Sequence, residues 1–405
     1  MTTRALGLVV LTGLALLGSA LPCAAQPAAD PAVPHAHADA APAAWTWNAE
    51  ASAFAGYNLQ HRKFTDFDAW ESQNWLMATL ARRAGPWQTT LMAGATAEPF
   101  TMRALGSPQA FQTGETYNNA PLIDYQHPHD MVMHLGMELS RTAGAARLDA
   151  GAALVGAPPI GPPVFMHRAS ASENPQVPLS HHQLDATHLS QGVVHAAVTV
   201  AGVRVDGGLF RGQEPDERRT DLDTGPLDSQ ALQIGYARGS WTAQVSTAWL
   251  TRPERLSVYD AERRTASVSY TRNDGDRMVA WTLAAGQNRE VHGNLEAYLL
   301  EGVWRPSRRW AAYARVEWLD KDILDAGYHP VGVAHVHRQS RVGAVTLGGV
   351  RDLATGGLGR VGLGADITGY RVPPNLQEPY GAPRSFHVFL RLRGRAGTGA
   401  AAHVH

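Results

Sequence analysis

The sequence predicts an all-β chain that closes into a transmembrane antiparallel up-and-down β-barrel of about 16 strands, within a range of roughly 14 to 18. Three observations support this fold class: an N-terminal export signal, connections that alternate between short and long, and strands of alternating hydrophobicity. After the N-terminal leader, no stretch has the roughly 18 to 20 apolar residues that a membrane-spanning helix needs.

Residues 1–25 have the order of a secretory signal peptide. Arg4 supplies a positive charge, an apolar run over 5–21 follows, and small residues precede the polar Gln26. A membrane anchor is the alternative, but the run is short for a spanning helix and rich in Gly and Ala. We therefore expect cleavage and export to the bacterial outer membrane. The only cysteine, Cys23, lies in this leader, so the mature barrel would contain no disulfide.

The remaining chain divides into a disordered periplasmic lead-in over 26–44, the barrel over 45–397, and a flexible C-terminal tail over 398–405. Within the barrel, seven short connections contain Gly, Pro, Asn or Asp, the residues that form tight turns. Eight longer polar connections alternate with them, at 60–68, 100–130, 157–188, 213–227, 253–261, 288–293, 320–337 and 373–384. This alternation gives the strand count and puts both chain ends on the short-turn side.

Tryptophans mark the predicted membrane boundaries. Trp310 and Trp318 lie eight residues apart on one apolar face, and Trp241 and Trp249 repeat the arrangement. Eight residues of tilted strand rise roughly 20 Å, close to the separation of the two aromatic girdles of an outer-membrane barrel. A soluble β-protein would also alternate, but paired tryptophans at this spacing favour the membrane barrel.

Histidines and carboxylates are concentrated at the ends of the second and third long connections. Because both groups end where a loop re-enters the wall, we expect them to meet at one rim of the lumen. Imidazoles with carboxylates can bind zinc, copper or nickel ions, and these three metals remain open. The candidate metal ligands are His127, His129, Asp130, His167, His181, His182, Asp185 and His188. Among them, Asp130 and Asp185 are expected to orient imidazoles.

Two other interpretations of these groups remain open. Imidazoles and carboxylates also hydrogen-bond inward-folded loops to a barrel wall without any metal. A metal ion with an open coordination position would instead support catalysis. The sequence shows no serine-nucleophile motif, and Ser180 beside His181 is adjacency alone. We therefore expect a channel or binder rather than an enzyme, and we assign no catalytic residue and no certain cofactor.

Strand periodicity also predicts which side chains line the lumen. The expected lumen-lining residues are His134, Glu138, His195, Arg315 and Glu317. On the strand of His134, the same periodicity points Met131, Met133 and Met137 at lipid rather than along a copper path. A polar, charged lumen indicates small hydrophilic solutes or metal ions. The formal net charge of −1 gives no broad basic face for nucleic acid.

Three elements of the middle third resemble a family of porin-like proteobacterial outer-membrane proteins. They are the Gln-His-Pro-His-Asp element at 126–130, the His-Arg-x-Ser-Ala element at 167–171 and the His-His-x-x-Asp-x-Thr-His element at 181–188. The resemblance implies an outer-membrane location and an association with heavy-metal export systems, but no established reaction. The positions that share this resemblance are His127, His129, Asp130, His167, Arg168, His181, His182, Asp185 and His188.

The sequence thus predicts a porin-like channel or passive binder for small hydrophilic solutes or transition-metal ions, with a His/Asp-rich constriction. The alternatives are a metal-dependent hydrolase of the outer membrane and a structural barrel without transport. Expected partners are outer-membrane lipid, the solutes or metal ions, and metal-efflux components. The oligomeric state stays open.

Overall fold

The computed structural model describes residues 44–256, 258–291, 293–324, 338–356 and 359–398. The predicted signal peptide with Cys23, the lead-in up to residue 43 and the tail from residue 399 lie outside the described residues.

Sixteen of the strands in the described part of the chain form one closed antiparallel barrel, which confirms the predicted fold class and strand count. The wall runs in chain order from β6 to β18, with β3 pairing β6 and β1 pairing both β2 and β18. The strands are β1 (Thr46–His61), β2 (Asp66–Ala84), β3 (Trp87–Ala95), β4 (Ser107–Tyr117), β5 (Ala120–Gln126), β6 (Val132–Ala143), β7 (Ala146–Val155), β8 (Val193–Val200), β9 (Val203–Phe210), β10 (Ser229–Arg238), β11 (Trp241–Leu250), β12 (Ala261–Asp274), β13 (Arg277–Glu290), β14 (Gly293–Ser307), β15 (Trp310–Lys321), β16 (Ser340–Gly356), β17 (Gly359–Arg371) and β18 (Arg384–Gly397).

The outer surface is apolar and bordered by tryptophans, as a lipid-facing wall requires. On β18, Phe386 and Leu390 are exposed to the outside, whereas the intervening His387 and Arg391 are buried inside. Trp241 and Trp249, at opposite ends of β11, are each 47% exposed. No helix in the described part of the chain is both long enough and apolar enough to cross a membrane.

The connections follow the predicted alternation, with differences in length. The first and sixth long connections are shorter than predicted: β1 reaches His61 and β2 begins at Asp66, and β13 and β14 are separated only by residues 291–292. Loop 2 (96–131) contains the short helix α1 (Glu98–Thr101) and the β4–β5 hairpin, which the sequence analysis did not predict. The start of β1 and the end of β18 meet on the short-turn side, where the Thr398 N–H donates to the Trp47 carbonyl at 3.0 Å.

Loop 3 (156–192) crosses the lumen. It leaves β7 and returns to β8, yet its side chains contact β14, β15 and β18, which lie on the opposite side of the ring. It contains the short helix α2 (His181–Leu184) and the 3-10 turns Phe165–His167, Ala169–Ala171 and Ala186–Leu189. A further 3-10 turn (Pro374–Leu376) and the helix α3 (Gln377–Tyr380) lie between β17 and β18.

Buried ion pairs and hydrogen bonds fix loop 3 to the far wall. Arg168 donates to Glu301 of β14 at 2.8 Å, and Ser180 donates to Glu317 of β15 from both its backbone N–H and its hydroxyl, at 2.9 and 2.7 Å. Arg315 donates to the Gln176 carbonyl at 2.7 Å. Arg315 and Glu317 therefore face inward as predicted but do not line open lumen, because loop 3 covers them.

Candidate metal centre

Five imidazoles from loops 2 and 3 form one buried cluster, which we call the histidine cluster. The two sequence groups therefore meet, as expected. The ring centroids of His129 and His188 are 5.3 Å apart, as are those of His181 and His188. His127 lies 6.1 Å from His129, and His182 lies 5.5 Å from His181.

Backbone contacts hold the loop 3 part of the cluster against the wall. The side-chain amide of Asn288, on β13, donates to the His182 carbonyl at 3.1 Å. Gly286 makes this approach possible, since a Cβ there would come within 2.1 Å of the Gln183 carbonyl oxygen. The His182 ring in turn packs on Gly114 of loop 2, whose φ is +128°. Glycines on two different elements thus let helix α2 approach both the wall and loop 2.

Three of the imidazoles have the same hydrogen-bond arrangement. His129 donates from Nδ1 to a Glu98 carboxylate oxygen at 2.7 Å, and His181 donates from Nδ1 to Asp185 at 2.8 Å. His188 donates from Nδ1 to the Asp185 carbonyl at 3.1 Å, which requires the proton to be on Nδ1. In this tautomer the Nε2 lone pair is free to bind. Nε2 of His129 and of His188 are buried without a hydrogen-bond partner among the described residues.

Burial disfavours the charged form of the three loop 3 imidazoles. It lowers the pKa of His181, and it lowers the pKa of His182 and His188 well below the usual range of histidine. Burial raises the pKa of Asp185. The Arg168 guanidinium outweighs this effect and holds the pKa of the Asp185 carboxyl below its usual range. His181, His182 and His188 are therefore neutral and Asp185 is ionised, the protonation states that bind metal ions.

His127, at the edge of the histidine cluster, and Asp130 take part in a neighbouring network. His127 contacts Glu115 through Nε2, and burial raises the pKa of Glu115 to about 8, so that this carboxyl is protonated near neutral pH and can donate to the ring. Asp130 accepts from Gln191 at 2.8 Å and from Arg219 at 3.4 Å. Asp130 thus does not hydrogen-bond an imidazole as expected; Glu98 has that role for His129.

The other predicted ligand, His167, lies outside the cluster. Its ring packs edge-on against Trp75 at 4.9 Å, beside a small cavity that His134 and His188 also line. The predicted lumen-lining residues of the near wall do face inward: Glu138 accepts from Arg147 at 3.2 Å, and His195 hydrogen-bonds Asp206 at 3.2 Å. Each alternates with outward side chains, such as Met137 at 50% exposure and Val194 at 40%.

The sequence has no local signal for the roles of Glu98 and Glu115, which contact His129 and His127 from other parts of loop 2. The charges of loop 4 (211–228), including Arg219, are visible in the sequence, but their contacts are not. In the described part of the chain, the only group of three His, Cys, Asp or Glu side chains with ligand atoms all within 4.8 Å is Asp216, Asp221 and Asp223. The ligand nitrogens of the histidine cluster are thus more widely separated than in a closed coordination shell.

Solved structures with a similar fold include two porins. An anion-selective porin from Comamonas acidovorans superimposes with a TM-score of 0.51 and 12% identity, covering 87% of this chain and 99% of that one. Salmonella typhi OmpF in complex with daunomycin gives a TM-score of 0.51 and 8% identity, covering 87% and 97%. No family model matches the sequence, and no curated protein does. The fold is that of a 16-stranded outer-membrane porin.

Proposed function

We propose that this protein is a porin-like barrel of the outer membrane that binds a divalent transition-metal ion at the constriction formed by loops 2 and 3. The observation that supports this most directly is the shared arrangement of His129, His181 and His188. Each directs its Nδ1–H to a protein oxygen and leaves Nε2 for a ligand. Metal-binding histidines in general have such a partner on the second ring nitrogen.

The spacing of the rings supports the same assignment. With Zn–N bonds of about 2.0–2.1 Å at tetrahedral angles, two coordinating imidazole centroids lie about 5.2 Å apart. His188 is 5.3 Å from both His129 and His181. Zn(II), Cu(II) and Ni(II) all accept such a nitrogen set, leaving a fourth position open.

The charged inner wall supports passage of a hydrophilic solute beneath this site. Arg147 donates to Asp149 on the same strand, β7, at 2.6 Å, and Arg204 donates to Asp206 on β9 at 2.7 Å. Arg204 also pairs with Asp149 of β7. Charged side chains that line a lumen favour small charged or polar solutes. The association with metal-efflux components rests on the family resemblance alone and stays a prediction.

Calorimetric titration of metal-free, detergent-refolded protein tests the proposal. We expect Zn(II), Cu(II) or Ni(II) to bind the wild type with a dissociation constant below roughly 100 μM, and His188→Ala to weaken binding at least tenfold. The matched control is His61→Ala, because His61 is exposed at the end of β1. Wild-type binding weaker than this limit, or equal binding by the His188 and His61 variants, would rule out the site.

A further inference from the structure

The small cavity beside the histidine cluster is lined by methionine side chains. It has a volume of about 70 Å³ and lies between the inner wall and loop 3. Its described lining includes the side chains Trp75, Met77, Met133, His134, Met166, His167 and His188. This volume is far below the roughly 300–1,000 Å³ of sites for small organic ligands, so the cavity suits an ion.

A β-bulge turns one of these methionines into the cavity. Gly94 of β3 pairs with His134, but the next residue, Ala95, pairs with Val132, which leaves Met133 as the extra residue of β6. Met133 is only 6% exposed, whereas Met137 on the same strand is 50% exposed. The expectation that Met133 faces lipid is therefore wrong, because strict alternation fails at a bulge.

Two nitrogen atoms of the cavity wall have no hydrogen-bond partner. Nε2 of His134 and Nε2 of His188 are both buried and unpartnered among the described residues. Gly94 leaves room for the His134 side chain, since a Cβ there would lie only 3.1 Å from His134 Cβ. Buried polar atoms usually have a partner, so two such atoms around one cavity indicate a ligand.

We propose that this cavity binds a soft monovalent metal ion of the Cu(I) or Ag(I) type, with thioether sulfurs of Met77, Met133 and Met166 and Nε2 of His134 or His188 as ligands. Thioethers bind such ions and are poor ligands for Mg(II), Ca(II) or Mn(II). None of the described residues that line the cavity is acidic, so a divalent charge would be uncompensated there. The Trp75 indole adds a cation–π contribution.

This site is distinct from the divalent site proposed above and shares only His188 with it. Ag(I), which keeps its oxidation state in solution, is the probe. In chloride-free buffer, detergent-refolded wild type is expected to bind one Ag(I), and the ¹³C-methyl NMR signals of Met133 and Met166 are expected to shift. The double variant Met133→Leu with Met166→Leu should bind Ag(I) at least tenfold more weakly.

Met137→Leu is the matched control, since this lipid-facing methionine is on the same strand. Heat-modifiable gel migration verifies that each variant folds. If the double variant binds Ag(I) as the wild type does, or if the two methyl signals do not shift, the cavity is packed apolar space and the inference is wrong. Zn(II) titration separates the two proposals: loss of Zn(II) binding with Ag(I) binding intact would reject only the divalent site.

Discussion

Glu98 fixes the tautomer of His129. The His129 Nδ1–H is held by Glu98, whose carboxylate also accepts the His129 backbone N–H at 2.9 Å. A carboxylate can only accept here, so Nε2 keeps its lone pair. A glutamine amide can instead donate to Nδ1 and so favour the tautomer with the proton on Nε2.

We therefore predict that Glu98→Gln weakens Zn(II) binding by about 10- to 100-fold without unfolding the barrel. Calorimetry measures the affinity. Glu378→Gln, at an exposed position between β17 and β18, is the control and should bind as the wild type does. Equal affinities of the two variants would show that Glu98 does not orient a ligand.

Glu173 makes loop 3 sensitive to acid. It is fully buried and contacts Arg305, Arg391 and Arg393. Burial raises its pKa, but the three guanidinium groups outweigh burial and lower the pKa from 4.5 to about 2. Because the pKa is lower in the folded than in the unfolded protein, the ionised Glu173 contributes its full stabilisation at pH values above 4.5. This stabilisation is lost as the pH falls towards 2.

We predict that loop 3 becomes accessible to a protease active in acid, such as pepsin, as the pH falls from about 4.5 to 2, with a loss of about 3 kcal/mol of anchoring free energy. Glu173→Gln should already be susceptible at pH 5 and show a weaker pH dependence. A wild-type profile that is flat over this interval would contradict the assignment.

Among the elements, loop 3 determines how much of the lumen is open. It reaches from β7 and β8 to β14, β15 and β18 and covers Arg315 and Glu317. We predict that replacing residues 163–188 by a short Gly/Ser linker raises single-channel conductance in planar bilayers several-fold over the wild type. The β-strands do not depend on these residues for pairing, so heat-modifiable migration should be retained. Unchanged conductance in a folded variant would mean that loop 3 does not limit passage.

The elements also show what the sequence can predict. Strand alternation and turn chemistry are local, so the barrel strands, the short turns and outward residues such as Trp241 and Trp249 were predicted correctly. The Met133 bulge depends on register with β3, and the partnership of Glu98 with His129 depends on two distant parts of loop 2. Neither has a local signal. The convergence of the histidines was predictable because both groups lie where a loop rejoins the wall.

At the scale of the whole molecule, the apolar outer surface determines position in the bilayer. Leu347 and Leu353 both face outward from β16, at 57% and 58% exposure. Leu347 pairs with Ala314 and Ile367 in the middle of the wall, whereas Leu353 is close to the short-turn end.

Substitution by arginine is therefore predicted to depend on depth. Leu347→Arg should lower the free energy of unfolding by about 2–4 kcal/mol, and Leu353→Arg by about 0–1 kcal/mol. Reversible guanidinium unfolding from lipid vesicles measures both. Similar losses for the two variants would place the hydrocarbon layer elsewhere on the barrel.

The pairing of β1 with β18 joins the first barrel strand to the last through 14 residue pairs, from Asn48 with Gly397 to His61 with Arg384. A partially synthesised chain therefore cannot satisfy the backbone groups along either edge. Contacts this distant in sequence are slow to form, and open strand edges invite aggregation in the meantime. The polypeptide must consequently be protected from aggregation, by a chaperone or by the assembly machinery, until β18 is available to pair with β1 and close the barrel.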